Sequence, residues 1–375
     1  MNIILAPDKF KGSLTGLEFC DVVEFGIKQI RPDANIIKLP LADGGDGTIE
    51  VVNFYLKGEV VIIEVKDPLF QSIKASYLYS ENSKTAFIEM AEASGLKLLK
   101  PEQYDCKNAT TYGTGELITD AISKGASKII LGIGGSATND CGIGMASALG
   151  FQFLDKNNKE IKPIGANLSQ IKAIDTSRVN PKLSSVKFEI ACDVKNPLYG
   201  KNGAANVYAA QKGATTNDIK ILDKGLEDFS KILNTFYRVD IQSVTGAGAA
   251  GGMGIASKVF LNGTLKPGIQ LIKNLANFDK QIEGANWIIS GEGKLDDQTL
   301  SGKTIQGVIT SAKNKNIKLA VFCGTIDLEE TFIRDLGISY SSSVMDLASN
   351  FEDALANASQ YLKELAVEFS KKTLK

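Results

Sequence analysis

Four short stretches of this 375-residue chain carry the acids and lysines that could do chemistry. Asp8-Lys9-Phe10-Lys11-Gly12-Ser13 sets a carboxylate, two ammonium groups and a hydroxyl close together. Ala42-Asp43-Gly44-Gly45-Asp46-Gly47-Thr48 puts two carboxylates on a glycine-rich loop. Ala191-Cys192-Asp193-Val194-Lys195-Asn196-Pro197 offers one carboxylate and an Asn-Pro turn, and Gly291-Glu292-Gly293-Lys294-Leu295-Asp296 adds two acids and a lysine. Loop carboxylates can hold Mg²⁺ together with waters and substrate phosphates. Lysines neutralise phosphate as point charges, without the bidentate fork of arginine. Any one stretch could be only a solvated turn, but four acid-bearing segments exceed what turns require.

A fifth stretch, Lys128 to Leu149, supplies backbone rather than side-chain chemistry. Ile129-Ile130-Leu131 and Ile133 read as a short buried strand. Gly134, Gly135 and Ser136 read as a bend, and Asn139 as the cap of a helix running through Met145 and Leu149. A strand feeding a helix N-terminus through glycines is an anion site, so a phosphate-bearing ligand is expected at this bend. Gly132, Gly134 and Ala137 also satisfy the G-x-G-x-x-[GA] dinucleotide fingerprint, with a strand Phe151–Leu154 ending at Asp155. On that pattern alone an NAD(P)-dependent hydroxy-acid dehydrogenase is the competing reading. A catalytically silent hydroxy-acid binder is a third.

Composition closes other routes. Histidine is absent, which removes Ser–His triads and most zinc sites and leaves a carboxylate as the natural general base. A net charge of −1 and a pI near 5.9 show no basic face for nucleic acid. The five cysteines are scattered without a C-x-x-C, which suits a reduced, cytoplasmic protein without disulfides. No apolar run approaches the ~20 residues a membrane span needs. Neither the P-loop pattern nor the protein-kinase signatures are present.

The elements that must position these residues follow from periodicity. Ile3–Ala6 and Ala34–Leu39 read as strands, separated by a helix capped by the Thr15/Glu18 box; a second helix follows Thr48. This opens a doubly wound, Rossmann-like parallel sheet. Val60–Val65, Ile73–Tyr79 and Ala86–Met90 are strands without helices between them, marking a second α/β domain with a mixed sheet. Trp287–Ser290 and Leu319–Cys323 return as strands, with Gly291-Glu292-Gly293 as a loop between elements. A closing helix is expected to run unbroken from a Ser349/Glu352 capping box to Phe369. The core domain is thus expected over 1–60 and 285–375 with 61–284 inserted, 107–150 being left open between the two. The acid-bearing loops are expected along one rim of one parallel sheet.

These blocks, taken with Glu89-Met90-Ala91-Glu92-Ala93-Ser94-Gly95-Leu96, Tyr112-Gly113-Thr114-Gly115-Glu116, Gln211-Lys212-Gly213-Ala214 and Gly246-Ala247-Gly248-Ala249-Ala250-Gly251-Gly252, resemble the bacterial type I glycerate kinases over nearly the whole chain. Cys141, Ala210, Ile305 and Lys294 depart from that family's pattern, the last replacing an arginine and its bidentate contact. The resemblance implies ATP-dependent phosphorylation of D-glycerate to 2-phosphoglycerate with Mg²⁺; a monomer or homodimer is expected, and charge and hydropathy point to no nucleic-acid or membrane partner. Under it, Asp193, Lys9 and Asp46 are the catalytic candidates, with Asp193 as base because a lone acid at a strand end is held more rigidly than a loop pair. Lys11, Ser13, Ser136, Asn139, Asp140 and Asn196 are the substrate candidates. Gly134, Gly135, Gly248, Gly251, Gly252, Glu292, Gly293 and Lys294 are the nucleotide candidates, and Asp43, Asp46 and Asp296 the metal ligands.

Overall fold

The computed structural model describes residues 1–44, 48–296 and 304–374. The chain forms two compact units, Met1–Tyr55 with Pro267–Lys375, and Leu56–Lys266. Its strands run in order as β1 (Asn2–Leu5) and β2 (Asn35–Lys38) in the first unit. The second unit holds β3 (Glu59–Lys66), β4 (Ser72–Ser80), β5 (Thr85–Glu89), β6 (Lys128–Gly132), β7 (Gln152–Leu154), β8 (Ala173–Asp175), β9 (Lys187–Ala191) and β10 (Thr264–Lys266). The first unit closes with β11 (Trp287–Leu295), β12 (Lys318–Ile326) and β13 (Tyr340–Ser343).

The first unit is a parallel five-stranded sheet in the order β13-β12-β11-β1-β2. Ile3 and Leu5 are fully buried, as a strand covered on both faces requires. The Thr15/Glu18 box forms: Glu18 N donates to Thr15 Oγ1 at 3.1 Å, and Thr15 N donates to Glu18 Oε2 at 2.8 Å. The helix it starts, Gly16–Ile30, buries Phe19, Cys20, Val23 and Ile27. Gly26 brings this helix against the C-terminal one; a Cβ there would stand 2.8 Å from Ala366 Cβ and 2.9 Å from Lys363 O.

The closing helix is two helices, Phe351–Ala356 and Ala358–Thr373, divided at Asn357. Its cap differs from the expected box: Asn350 accepts from Asp353 N at 2.9 Å, and Asp353 rather than Glu352 receives Ser349 N at 2.8 Å. The Gly291-Glu292-Gly293 loop is likewise corrected, since β11 continues through it to Leu295, paired with β12 as far as Ile326. Gly291 serves close packing: a Cβ there would lie 2.2 Å from Phe322 O and 2.6 Å from Phe19 Cε2.

The second unit has a mixed six-stranded sheet, β10-β9-β6-β5-β4-β3, parallel from β10 to β5 and antiparallel through β4 and β3. A two-stranded antiparallel pair, β7-β8, stands beside it in the sequence. That pair dismantles the dinucleotide fingerprint: β7 is not a parallel neighbour of β6, whose partners are β5 and β9. Asp155 instead caps an exposed turn, accepting from Asn157 N at 2.7 Å and Lys159 N at 2.9 Å. The expected single rim is also corrected, because the acid-bearing segments divide between two sheets. Among the described residues no helix is long and apolar enough to cross a membrane.

Candidate active site

In the first unit the chain leaving β1 is stitched to both sides. Asp8 N donates to Gly291 O at 2.8 Å, and Leu41 N donates to Pro7 O at 2.8 Å. Asp8 therefore sits at the carboxyl end of a central parallel strand, where open α/β sheets bind ligands. The following residues reverse tightly: Phe10 N donates to Leu14 O at 2.7 Å and Gly12 takes φ +80°, which glycine adopts without strain. Phe10, buried against Phe19 at 5.6 Å between ring centroids, anchors the loop that carries Lys9, Lys11 and Ser13.

A cleft of about 430 Å³ opens here, within the usual range for small-molecule sites. Asp8, Lys9, Lys11, Asp43, Lys294 and Asp296 line it, with Ser13, Glu292 and Gly293 beside them. Lys294 lies 3.2 Å from Asp327 and 3.6 Å from Asp296. Asp8 is half-buried. Its carboxylate accepts from Lys9 N at 2.7 Å and from the Thr304 hydroxyl at 2.5 Å. Burial lifts its pKa to about 6 against the Thr304 hydrogen bond, and the neighbouring Asp43 carboxylate adds to the rise. Asp8 was not singled out as a site residue from the sequence, although its place just past β1 was the available signal. Asp46, expected as catalyst and metal ligand, lies outside the described residues.

Among the described residues no three acids or cysteines form a ready metal cage. Mg²⁺ does not need one: it is usually held by one or two carboxylates plus waters and phosphate oxygens. Asp43 and Asp296, in one cleft with three lysines, fit that donor set.

In the second unit the expected strand–glycine–helix bend takes a different form. β6 ends at Gly132, but the helix begins only at Ile143 and is six residues long. Asn139 is not its cap. Asp140 does that work: it accepts from Gly142 N at 3.1 Å, Gly144 N at 3.2 Å, and Thr111 N and Oγ1 at 2.8 Å each. These helix-end amides are already engaged, so the dipole is not open to an anion there. Burial pushes the Asp140 pKa up while the four donors oppose it.

Gly134 and Gly135 are exposed in the turn after β6. Gly135 uses φ +70°, and a Cβ on Gly134 would meet nothing within 4 Å. Ser136 is buried, and its hydroxyl accepts from Lys212 Nζ at 2.6 Å; the same ammonium reaches Thr138 O at 2.9 Å. Burial depresses the Lys212 pKa to about 8, with Cys106 and Asp140 pulling the other way. Lys212 stood in a quoted sequence block but not among the expected site residues; a lysine in a loop gives no sign of burial until the fold is known. Both side-chain amide atoms of Asn139 are buried without a hydrogen-bond partner among the described residues. Asp193 is exposed two residues past β9, while Asn196 donates to Asn202 O at 2.9 Å and accepts from Tyr208 Oη at 2.6 Å.

Gly248, Gly251 and Gly252 are buried. Gly248 N donates to Asn196 O at 3.0 Å, and a Cβ on Gly251 would meet Thr138 O at 2.2 Å. Close approach between backbones accounts for these glycines.

Fold and site together define a two-unit α/β protein with acids and lysines at the carboxyl ends of parallel strands, suited to a small anionic ligand rather than a polymer. The chain belongs to the glycerate kinase family, whose model matches residues 3–373. It is 40% identical to a glycerate kinase of Bacillus subtilis over 98% of this chain and 96% of the relative. It is also 40% identical to the Escherichia coli protein called glycerate 2-kinase, over 96% and 94% of the two chains. A solved structure of a Salmonella typhimurium LT2 protein provisionally called glycerate kinase 2 superposes with a TM-score of 0.89, at 39% identity over 99% of this chain and 98% of that one.

Proposed function

We propose that this protein is an ATP-dependent kinase that phosphorylates D-glycerate to 2-phosphoglycerate. Family membership supports the reaction class, and the name of the Escherichia coli relative supports the position on glycerate. The observation that carries the chemistry is the first unit's cleft, in which Asp8 and Asp43 share walls with Lys9, Lys11 and Lys294. Phosphoryl transfer asks for positioning and neutralised charge rather than covalent catalysis.

In this reading the lysines of the cleft hold phosphate oxygens, and Glu292 and Gly293 border the same anions. Asp43 and Asp296 would hold Mg²⁺, which when bound supplies further neutralisation across the phosphates. Asp8 takes the role first expected of Asp193. It is held by two hydrogen bonds at a strand end and lines the cleft that carries the lysines. Asp8 accepts the proton of the glycerate hydroxyl as the new O–P bond forms and ADP leaves. Asn196, Ser136 and Asn139 are proposed as substrate contacts, as expected from the sequence. For Asp140 the four intramolecular hydrogen bonds support a structural role instead.

A coupled assay of ADP release with Asp8→Asn and Asp193→Asn tests the assignment. General-base loss is worth about 10²–10⁴ in rate. Asp8→Asn should therefore lower kcat at least a hundredfold, with the KM for ATP little changed. If Asp193→Asn shows that loss and Asp8→Asn keeps near-normal turnover, the two roles are exchanged.

A further inference from the structure

The first unit's cleft has a second wall that the phosphoryl-transfer reading does not use. Val344, Met345, Phe351, Ala354, Leu355 and Ala358 line it. Phe351 is 61% exposed and Leu355 38%, unusual for large apolar side chains inside a concave site. The scaffold beneath them is stiff. The Asp353 carboxylate collects Ser349 N at 2.8 Å, Ser349 Oγ at 2.9 Å, Asn357 Nδ2 at 2.7 Å and Tyr361 Oη at 2.9 Å. These bonds tie the short helix Phe351–Ala356 to the long helix Ala358–Thr373 across the break at Asn357. Phe351, Leu355 and Ala358 step at i, i+4, i+7 spacing, which sets them together on one wall.

A three-carbon hydroxy acid bears oxygen on every carbon and has nothing to bury on such a wall. A nucleoside triphosphate does, since it joins a flat base with apolar faces to a polyanionic tail. The cleft has the matching polarity, with Lys9, Lys11 and Lys294 on its charged part. We infer that the nucleotide's base packs on the wall formed by Phe351, Leu355 and Ala358, with its phosphates toward the lysines. This inference rests on the kinase reading above and adds where the nucleotide lies and how its base is chosen. Among the described residues no charged side chain lines the apolar wall, so the base is held by stacking and contact, which every base can satisfy. Discrimination between ATP and GTP should therefore be weak, within about tenfold in kcat/KM.

The test is steady-state kinetics of wild type, Phe351→Ala and Phe351→Leu with varied ATP at saturating glycerate, and the reverse. Base–aromatic stacking is worth about 1–3 kcal/mol per base. The KM for ATP should rise about tenfold in Phe351→Ala and less in Phe351→Leu, with the KM for glycerate and kcat at saturating ATP unchanged. Inhibition by inorganic tripolyphosphate should be equal in all three proteins, because it contacts only the charged part. Wild type that releases no ADP from ATP and glycerate would remove the kinase reading itself. An active wild type, with a KM for ATP within twofold in both variants, overturns the inference alone. So does a change of oligomeric mass in the variants at unchanged KM, which would assign the wall to a second copy of the chain. Phe351→Leu keeps a large apolar side chain without the ring and serves should the alanine variant not fold.

Discussion

Replacing Asp140 by asparagine separates a structural acid from a substrate contact. The carboxylate is fully buried and accepts four donors, one on Oδ1 and three on Oδ2. The Thr111 hydroxyl has no freedom to turn away, because its oxygen already accepts Met145 N at 2.8 Å and its one hydrogen points to Asp140. In the better of its two orientations, asparagine keeps three bonds and turns its NH₂ against Gly142 N. The unpaired amide costs about 1–3 kcal/mol, and each remaining bond loses about 1 kcal/mol as its charge assistance goes. Relief from burying a charge, the same burial that raises this group's pKa, returns part of that. The net expectation is about 2–4 kcal/mol of destabilisation by these estimates. Urea unfolding followed by far-UV circular dichroism measures it. Fluorescence of the single tryptophan is the wrong probe, since Trp287 lies on β11 in the other unit. The KM for glycerate should stay near wild type where the variant is folded. Stability within 0.5 kcal/mol of wild type, the ordinary scatter of surface substitutions, together with a tenfold rise in that KM, would refute the structural role.

Two further substitutions test buried charge in the second unit. Glu189 on β9 is 3% exposed and bonded to Lys128 at 2.8 Å and Lys266 at 2.9 Å. Burial alone would raise its pKa, but the lysines hold it near 2. Its contribution is thus complete above the ordinary value near 4.5 and lost as pH falls toward 2; thermal melts across that window should converge for wild type and Glu189→Gln, with a gap of about 1–3 kcal/mol at pH 7. Lys212 has the opposite sign. Its folded pKa near 8 lies below the free value of 10.5, so the unfolded chain binds more protons between them and wild-type stability should rise over that range. Lys212→Met should abolish that rise and, by releasing Ser136, lower kcat/KM for glycerate at least tenfold; a variant with unaltered kinetics would leave Ser136 without a part in substrate binding.

What the sequence made legible was whatever is written in local periodicity. The alternation of strand and helix, the Thr15/Glu18 box and the helix-free run from Val60 to Met90 each report a short-range pattern, and the two α/β units follow from them. What it hid depends on partners distant in the chain. Glycines at 291, 251 and 252 look the same in sequence whether they free a loop for a phosphate or let two backbones touch, and only the neighbouring strand or segment decides. The same ambiguity made Asp140 look like a ligand contact, though its donors come from Thr111, twenty-nine positions away, as well as from the next turn. Conversely, Lys212 and Asp8 gained chemical interest only through burial, which a single charged letter does not encode.

The divided C-terminal helix shows how such a hidden contact can reach function. Periodicity from Phe351 to Phe369 is continuous enough to suggest one helix. A straight helix would keep its apolar residues on a single stripe facing the core. Divided at Asn357, the pattern is put to two uses: Leu362, Leu365 and Phe369 pack in one core with Trp287 and Phe322 of the sheet, while Phe351 and Leu355 line the cleft. One apolar pattern at helical spacing thus serves both the core and the proposed binding wall, with Asp353 bonding residues on either side of the division.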